Sequence, residues 1–482
     1  MSHSQERSLN DPELQRERLL SQNKELLEAV GLVAARIRAL PPDPKHPDWE
    51  PRALIVGGFV RDALLGLKPK DADMEVYGVT PDRLESLLSQ HFPGHVDTVG
   101  KAFGILKINL GPELEFDISI PRRDSKTGKG HKGFAVESDP EMSVKEAARR
   151  RDFTINSLAA DPLSGEVVDP FHGVDDLESR VMRVTDTERF QDDPLRVYRA
   201  VQFAARLDFT VDPKSLTLMK TMVERGDLDE LSSERITEEL KKLLLKSPQP
   251  SVGFELMREL NIIEKYYPEL EALITLPQEK DWHPEGTVWA HTLMALDEAA
   301  KIIRRPKMDL TAEQKFQVML GILCHDLGKA TTTHLGEKQG VPRIRSLGHE
   351  EAGVEPCKTL MAKWIFGAEA ERAAQMITAN HMEPDAIHRR VMRGDITKEQ
   401  YINAVRKMVK KLHPISWRVF LVACEADDHG RSIPNIKKTP YEPGVLFAQT
   451  VEQNALDQEP TKPLIQGKDL LDRGLKPGPR MG

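Results

Sequence analysis

Strand-like patterning is confined to one stretch of this chain, and the residues beyond it keep helical spacing. A short apolar run at Ala53 to Val56 reads as a strand, and Asp71 to Tyr77 and Leu106 to Leu110 read as further strands. A fourth, Glu115 to Ile120, alternates polar and apolar residues, the pattern of a half-buried strand. Ahead of them, Leu19, Leu26, Val30, Val33 and Ile37 recur at helical spacing behind Asp11-Pro12, an N-cap with a first-turn proline. One amphipathic helix is therefore expected there, stopping before the prolines at 41, 42 and 44. Beyond Asp186, helical patterns run from Pro194 to Leu276, Thr287 to Ile303 and Lys315 to Leu327. A sheet drawn from so short a stretch has to be small. The expected class is α+β: a small mixed-sheet head, an all-α body and a second all-α domain.

At 482 residues the chain exceeds what one core supports. The expected divisions are an N-terminal helix and linker (1–49), the head (50–165), the body (166–275), the second helical domain (276–432) and a tail (433–482). A net charge of −8 excludes a histone-like binder, though not local basic patches. A hydrophobic share of 39% is that of a globular protein rather than a disordered one. Three cysteines and no CxxC pair exclude a disulfide scaffold and point to a reducing compartment, the cytoplasm. The polar N-terminus leads into no apolar stretch of signal-peptide type, and no run approaches the roughly 18 residues of a membrane helix.

Gly57-Gly58 lies between a strand and the helix that begins at Phe59, where backbone N–H groups can face a phosphate. In isolation such a pair is more often a tight turn. Asp71 and Asp73 are two apart on a strand and share a face. Their carboxylates repel unless a cation lies between them, and Mg²⁺ takes such oxygen ligands together with substrate phosphates. Chance pairs of this kind are common on solvated strands. Glu115 and Asp117 repeat the geometry. If the two strands are neighbours, a third carboxylate completes a two-metal site that activates a hydroxyl and holds a triphosphate.

Asp193 and Arg196, three apart at a helix start, also share a face. The plain reading is a cap or a weak ion pair. The sharper one is base selection: a carboxylate accepts and a guanidinium donates, which matches the Watson–Crick edges of both cytosine and adenine.

Gly57-Gly58-Phe-Val-Arg61-Asp62, Lys70-Asp71-Ala-Asp73, Arg150-Arg151-Asp152-Phe-Thr-Ile-Asn156, Asp169-Pro-Phe-His-Gly173 and Asp192-Asp193-Pro-Leu-Arg196 occur in one order. This set resembles the class II tRNA nucleotidyltransferases, or CCA-adding enzymes, and the related bacterial poly(A) polymerases, from about Leu54 to Leu276. The resemblance implies a nucleotidyltransferase head in which Asp71 and Asp73 hold catalytic Mg²⁺ and Asp117, five before Arg122, is the third acid. It implies triphosphate contacts from Gly57, Gly58 and Arg61, and ribose binding by Arg150, Asp152 and Asn156. It implies base reading by Asp193 and Arg196, with Arg199 a turn further on. The stretch from Pro121 to Gly133 reads as a mobile basic loop, and corresponds to the loop that supports a switch from CTP to ATP. The family usually has Glu-Asp where this chain has Asp192-Asp193; the shortened residue is not the base-reading one. Gly100-Lys101-Ala102-Phe103-Gly104 looks like the CCA-adding version of its segment.

His291, His325-Asp326 and Asp427 fall on expected helices, from which side chains can converge on a divalent metal. His325-Asp326-Leu327-Gly328-Lys329 resembles the HD-type phosphohydrolases. That implies an HD domain with a second divalent metal and phosphatase or 2′,3′-cyclic phosphodiesterase activity, His349 and His381 being candidate extra ligands. Cys324 and Cys424 read as small buried residues. Relatives usually continue past the segment near Gly467-Lys468 with another helix, so a tail element is expected to be missing here. The expected function is template-independent addition of CCA to tRNA from CTP and ATP. The alternatives are poly(A) polymerase, a CC-only or A-only enzyme, and an HD hydrolase with a non-catalytic RNA-binding head.

Overall fold

The computed structural model describes residues 7–69, 71–97, 105–111, 114–126, 134–434, 436 and 439–457. They form two compact units, Met1–Glu271 with Ala362–Ile365, and Ala272–Met361 with Phe366–Gly482.

The strands of the first unit up to residue 168 are β1 (Arg52–Val56), β2 (Ala72–Tyr77), β3 (Val96–Asp97), β4 (Ile105–Asn109), β5 (Glu115–Ser119), β6 (Arg122–Lys126), β7 (Phe134–Ser138), β8 (Ala159–Ala160) and β9 (Val167–Val168); a short parallel pair, Val181–Met182 with Thr210–Val211, follows. Seven of them make one mixed sheet in the order β3-β4-β5-β2-β1-β8-β9. Within it only β2 and β5 run parallel; the other neighbours are antiparallel. Alternation then sorts the side chains. On β2, Ala72, Met74 and Val76 are buried and Asp73 faces the other way; on β5, Phe116 and Ile118 are buried and Asp117 lies between them. One face joins the core and the other collects acids.

The expected N-terminal helix is two helices, Pro12–Leu20 and Lys24–Arg38. Ser21 caps the first, and Asn23, at φ 10° and ψ 75°, leaves helical geometry before the second. Ser and Asn side chains compete with the helix for backbone groups, so they break a periodicity that apolar residues alone would carry through. The basic stretch after Pro121, expected as a loop, has strand stems: β6 and β7 pair from Arg122↔Ser138 to Lys126↔Phe134. Lys129 and Lys132 lie outside the described residues, as do Lys70, Gly100 to Gly104 and the segment near Gly467.

In the body, helix Leu195–Leu207 packs against Ser233–Lys246 and Pro250–Glu259. The Asp169-to-Gly173 motif is a cap: Asp169 accepts the N–H groups of Gly173 and Val174 at 2.8 and 2.9 Å.

The second unit is helical, with Val288–Ile302, Ala312–Cys324, Ala368–Thr378 and Trp417–His429 packed together. One hairpin interrupts it, His334–Lys338 paired with Val341–Arg345. Its turn, Gln339-Gly340, has positive φ at both residues, 55° and 79°, the form that suits a two-residue hairpin. Among the described residues, no helix is long and apolar enough to cross a membrane.

Candidate functional site

In the first unit, the parallel register places Asp73 directly opposite Asp117. Asp71 lies just before β2, two residues from Asp73 and on its side of the strand. All three line a cleft of about 840 Å³ with Lys68, Lys107, Glu115 and Asn23. Burial raises the Asp73 carboxyl above the usual range; Arg151 pulls it down, and Asp117, Asp71 and Glu75 push it up. The site thus holds more negative charge than it can disperse, and its donors are hard carboxylate oxygens, which fits Mg²⁺. Glu115 shares the cleft but is bonded to Lys107, whose Nζ lies 3.9 Å from Asp117.

Gly57 has φ 70°, and a Cβ there would fall 2.8 Å from the Arg151 guanidinium, so this turn requires glycine. Arg151 Nη2 lies 3.5 Å from Glu75, which also accepts a 2.8 Å bond from the Tyr77 hydroxyl. The cation between the glycine turn and the acidic strand is therefore Arg151. Its neighbour Arg150, expected in ribose binding, has its guanidinium on the Arg122 carbonyl at 2.7 Å.

Arg61 is 3% exposed, with its guanidinium on Asp62 at 2.7 Å and on Asn156. Asn156 donates to Asp152 at 2.9 Å, and Arg199 donates to the same carboxylate at 2.7 Å. Arg61 and Arg199 both stack on Phe203, at 4.9 and 5.2 Å from its centroid. Four of the expected nucleotide-binding residues thus form one buried network, with the Arg61 guanidinium turned into it. Asp193 and Arg196 are held by separate partners. Asp193 caps Leu195 at 3.2 Å and pairs with Arg235, which no sequence motif singled out. Arg196 donates to the carbonyls of Arg150 and Arg189.

In the second unit, His291 Nε2 lies 2.9 Å from Asp427 Oδ1, and His325 Nε2 lies 3.5 Å from the same oxygen and 3.3 Å from Asp326 Oδ2. On the other side of Asp326, Oδ1 is 3.4 Å from His349 Nε2 and 3.9 Å from His381 Nε2. Nδ1 of His325, His349 and His381 lies against the carbonyls of Ile322, Ser346 and Thr378. A carbonyl only accepts, so each Nδ1 carries a proton, and each ring in its neutral form has its Nε2 lone pair left for a metal. Both Asp326 oxygens and His325 Nε2 are buried without a hydrogen-bond partner. Imidazole and carboxylate donors left in this state fit a transition-type divalent ion.

Among the described residues, sets of three ligand atoms within 4.8 Å of one another occur only here: His283-Glu285-His291, His291-His325-Asp427 and Asp326-His349-His381. Burial disfavours a charged His325, yet Asp326 and Asp427 push it up to about 10; burial and His325 push His381 down to about 4. Lys329, the last residue of the HD motif, has Nζ 2.7 Å from Asp326 and 2.7 Å from Gln278. Cys424 is buried and donates to the His381 carbonyl at 3.3 Å. His283 and Glu285 were not expected from the sequence, the only available signal being their closeness to His291; Lys329 was part of the motif, without a role.

Three family models match this chain: the Poly A polymerase head domain over residues 53–183, the "Probable RNA and SrmB- binding site of polymerase A" over 208–274, and the HD domain over 288–410. The multifunctional CCA protein of Methylobacillus flagellatus is 34% identical over 418 residues, covering 86% of this chain and 93% of its own. That of Stenotrophomonas maltophilia is 34% identical over 431 residues, covering 89% and 95%. Among solved structures, a CCA-adding enzyme with ATP superposes with a TM-score of 0.59 at 20% identity, covering 98% of this chain and 92% of that one. The Thermotoga maritima CCA-adding enzyme with tRNA gives 0.55 at 19%, covering 96% and 90%. At such identities these structures establish a shared fold.

Proposed function

This chain belongs to the family of multifunctional CCA proteins, and from that membership we propose that it adds CCA to the 3′ end of tRNA, using CTP and ATP, in the cytoplasm. Residues 50–165 carry the chemistry, 166–275 select the nucleotide and grip the tRNA, and 276–432 form a phosphohydrolase. The observation that supports the first site most directly is the register of Asp73 opposite Asp117 with Asp71 two residues ahead. Asp71 and Asp73, helped by Asp117, hold Mg²⁺. When bound, the metal supplies positive charge for the attacking 3′ oxygen and the departing pyrophosphate. The tRNA 3′ oxygen forms a bond to the α-phosphorus, the bond to pyrophosphate breaks, and the hydroxyl proton leaves to solvent or to a cleft carboxylate. Gly57, Gly58 and Arg151 cradle the triphosphate. Asp193 and Arg196 read the base, and Asp152, Asn156 and Arg199 brace the ribose pocket.

At the second site, His291, His325, Asp326 and Asp427, with His349 and His381, hold a divalent ion for hydrolysis of phosphomonoesters or 2′,3′-cyclic phosphates. Its bound ion supplies an activated water at neutral pH.

The test is a tRNA lacking its 3′ end, incubated with CTP and ATP. A product three nucleotides longer is expected, and a long adenylate tail would transfer the chain to poly(A) synthesis. Asp71→Ala should abolish incorporation and leave ring-opening of a 2′,3′-cyclic nucleotide to its monophosphate intact. Incorporation that survives this change would remove Asp71 from the site.

A further inference from the structure

His291 is held differently from the other imidazoles of its cluster. His325, His349 and His381 rest Nδ1 on the carbonyl three residues earlier, at 2.7, 2.8 and 2.9 Å. His291 lies inside helix Val288–Ile302, where backbone N–H groups consume the carbonyls. It has to find its acceptor outside the helix. Glu285, in the loop that leads into the helix, places Oε1 3.0 Å from His291 Nδ1, a close ion-pair approach to a buried nitrogen that has no aligned hydrogen-bond partner among the described residues.

Glu285 is itself fixed. Its side chain is 3% exposed, and Oε1 also lies 2.8 Å from His283 Nδ1. Oε2 accepts from the Ser432 backbone N–H and hydroxyl, both at 3.1 Å. A buried carboxylate with both oxygens engaged has little freedom to turn away.

We infer that Glu285 is the positioning residue for His291, a carboxylate behind the metal-facing imidazole. In this structure Nε2 donates to Asp427 Oδ1, 2.9 Å away; with an ion seated between those two atoms, Glu285 would take the proton on Nδ1 and leave the Nε2 lone pair to the metal. Because its acceptor is anionic where the other three are neutral carbonyls, His291 is the most electron-rich imidazole of the set. Ser432 keeps the carboxylate in register, so residues distant in sequence from the His-Asp pair set how strongly the ion is held.

This rests on reading the cluster as a metal centre, and the experiment separates the two claims. Co²⁺ is titrated against a competing chelator into the full chain stripped of metal, in an Asp73→Ala background that weakens binding at the first site. Glu285→Ala should lower Co²⁺ affinity about 10- to 100-fold. Glu285→Gln keeps an oxygen for His291 but loses the charge, and should fall between that variant and the parent. It also decides the matter if the alanine variant fails to fold. Affinities of both variants within about twofold of the parent would overturn the inference. Asp326→Ala is the separate arm: if Co²⁺ binding survives it unchanged, the metal centre itself is wrong. If Asp326→Ala abolishes binding while the Glu285 variants match the parent, only the role of Glu285 falls.

Discussion

One nitrogen of Arg235, Nη2, lies 3.0 and 2.8 Å from the two carboxylate oxygens of Asp193. Arg235 comes from the first turn of helix Ser233–Lys246, and Asp193 stands just ahead of Leu195–Leu207. The body helix thereby orients the carboxylate assigned to base reading. The pair is partly solvated, with side chains 28% and 34% exposed, so its worth is at most about 1 kcal/mol. Arg235→Ala should raise KM for CTP and ATP by up to about fivefold with kcat little changed, as measured by steady-state incorporation on tRNA lacking its end. A fall in KM would mean that Arg235 competes with the base for Asp193.

Asp117 and Glu115 present carboxylates on the same face of β5, but their partners differ. Asp117 faces Asp73 across the parallel pair, whereas Glu115 is bonded to Lys107. Asp117→Asn should therefore cost about 10²- to 10³-fold in incorporation rate, and Glu115→Gln less than about tenfold. Rapid-quench incorporation with saturating nucleotide compares them directly, and equal losses would mean that both acids serve the site.

The acids of the first site were legible because a strand has a period of two: Asp71, Asp73 and Asp117 had to share faces once their strands were recognised. Which strands are neighbours was not, since the parallel pairing of β2 with β5 is a long-range choice that local pattern does not encode. The two-residue strands β3, β8 and β9 are too short to show alternation. Arg150 and Arg151 look equivalent in sequence, yet backbone direction sends one guanidinium to a carbonyl and the other to the glycine turn. In the second unit, His325-Asp326 marked the centre, but Glu285 and Lys329 acquire their meaning only when a loop and a helix start fold back onto it. The break at Ser21 to Asn23 was visible as residues, and apolar periodicity masked it.

Asp152 gives the first unit an acid-sensitive joint. The residue is 6% exposed. Burial alone would raise its carboxyl, but Arg199, Asn156 and the Phe153 N–H outweigh burial and hold it below the usual range. A carboxylate depressed in the folded state contributes full stability above its unfolded value of about 3.9 and loses that contribution as pH falls through the lower folded value. Denaturant melts of the full chain should thus show the first transition weakening below about pH 4. Asp152→Asn should flatten that acid limb and cost about 2 kcal/mol at neutral pH, because Arg199 loses its charged acceptor. An unchanged acid limb would place the sensitivity elsewhere.

The His349 and His381 Nε2 atoms lie 3.2 Å apart. Both rings direct Nδ1–H at carbonyls, so when both are neutral two lone pairs face each other, an arrangement that a proton on one ring or a shared cation relieves. Gly328 helps to set this spacing: a Cβ there would lie 2.0 Å from the His349 carbonyl and 2.5 Å from the Gly353 nitrogen. Gly328→Ala should push His349 off Asp326 and cost about 1–3 kcal/mol of stability in the second unit. His349→Ala and His381→Ala should lower the divalent metal bound per chain, measured by elemental analysis after dialysis, and slow the hydrolysis of 2′,3′-cyclic nucleotides to monophosphates. All three variants should still complete CCA on tRNA, because the acids, glycines and base-reading pair assigned to that reaction belong to the first unit. Unchanged metal content in both histidine variants would leave this pair a structural role and confine the ion to His291, His325, Asp326 and Asp427.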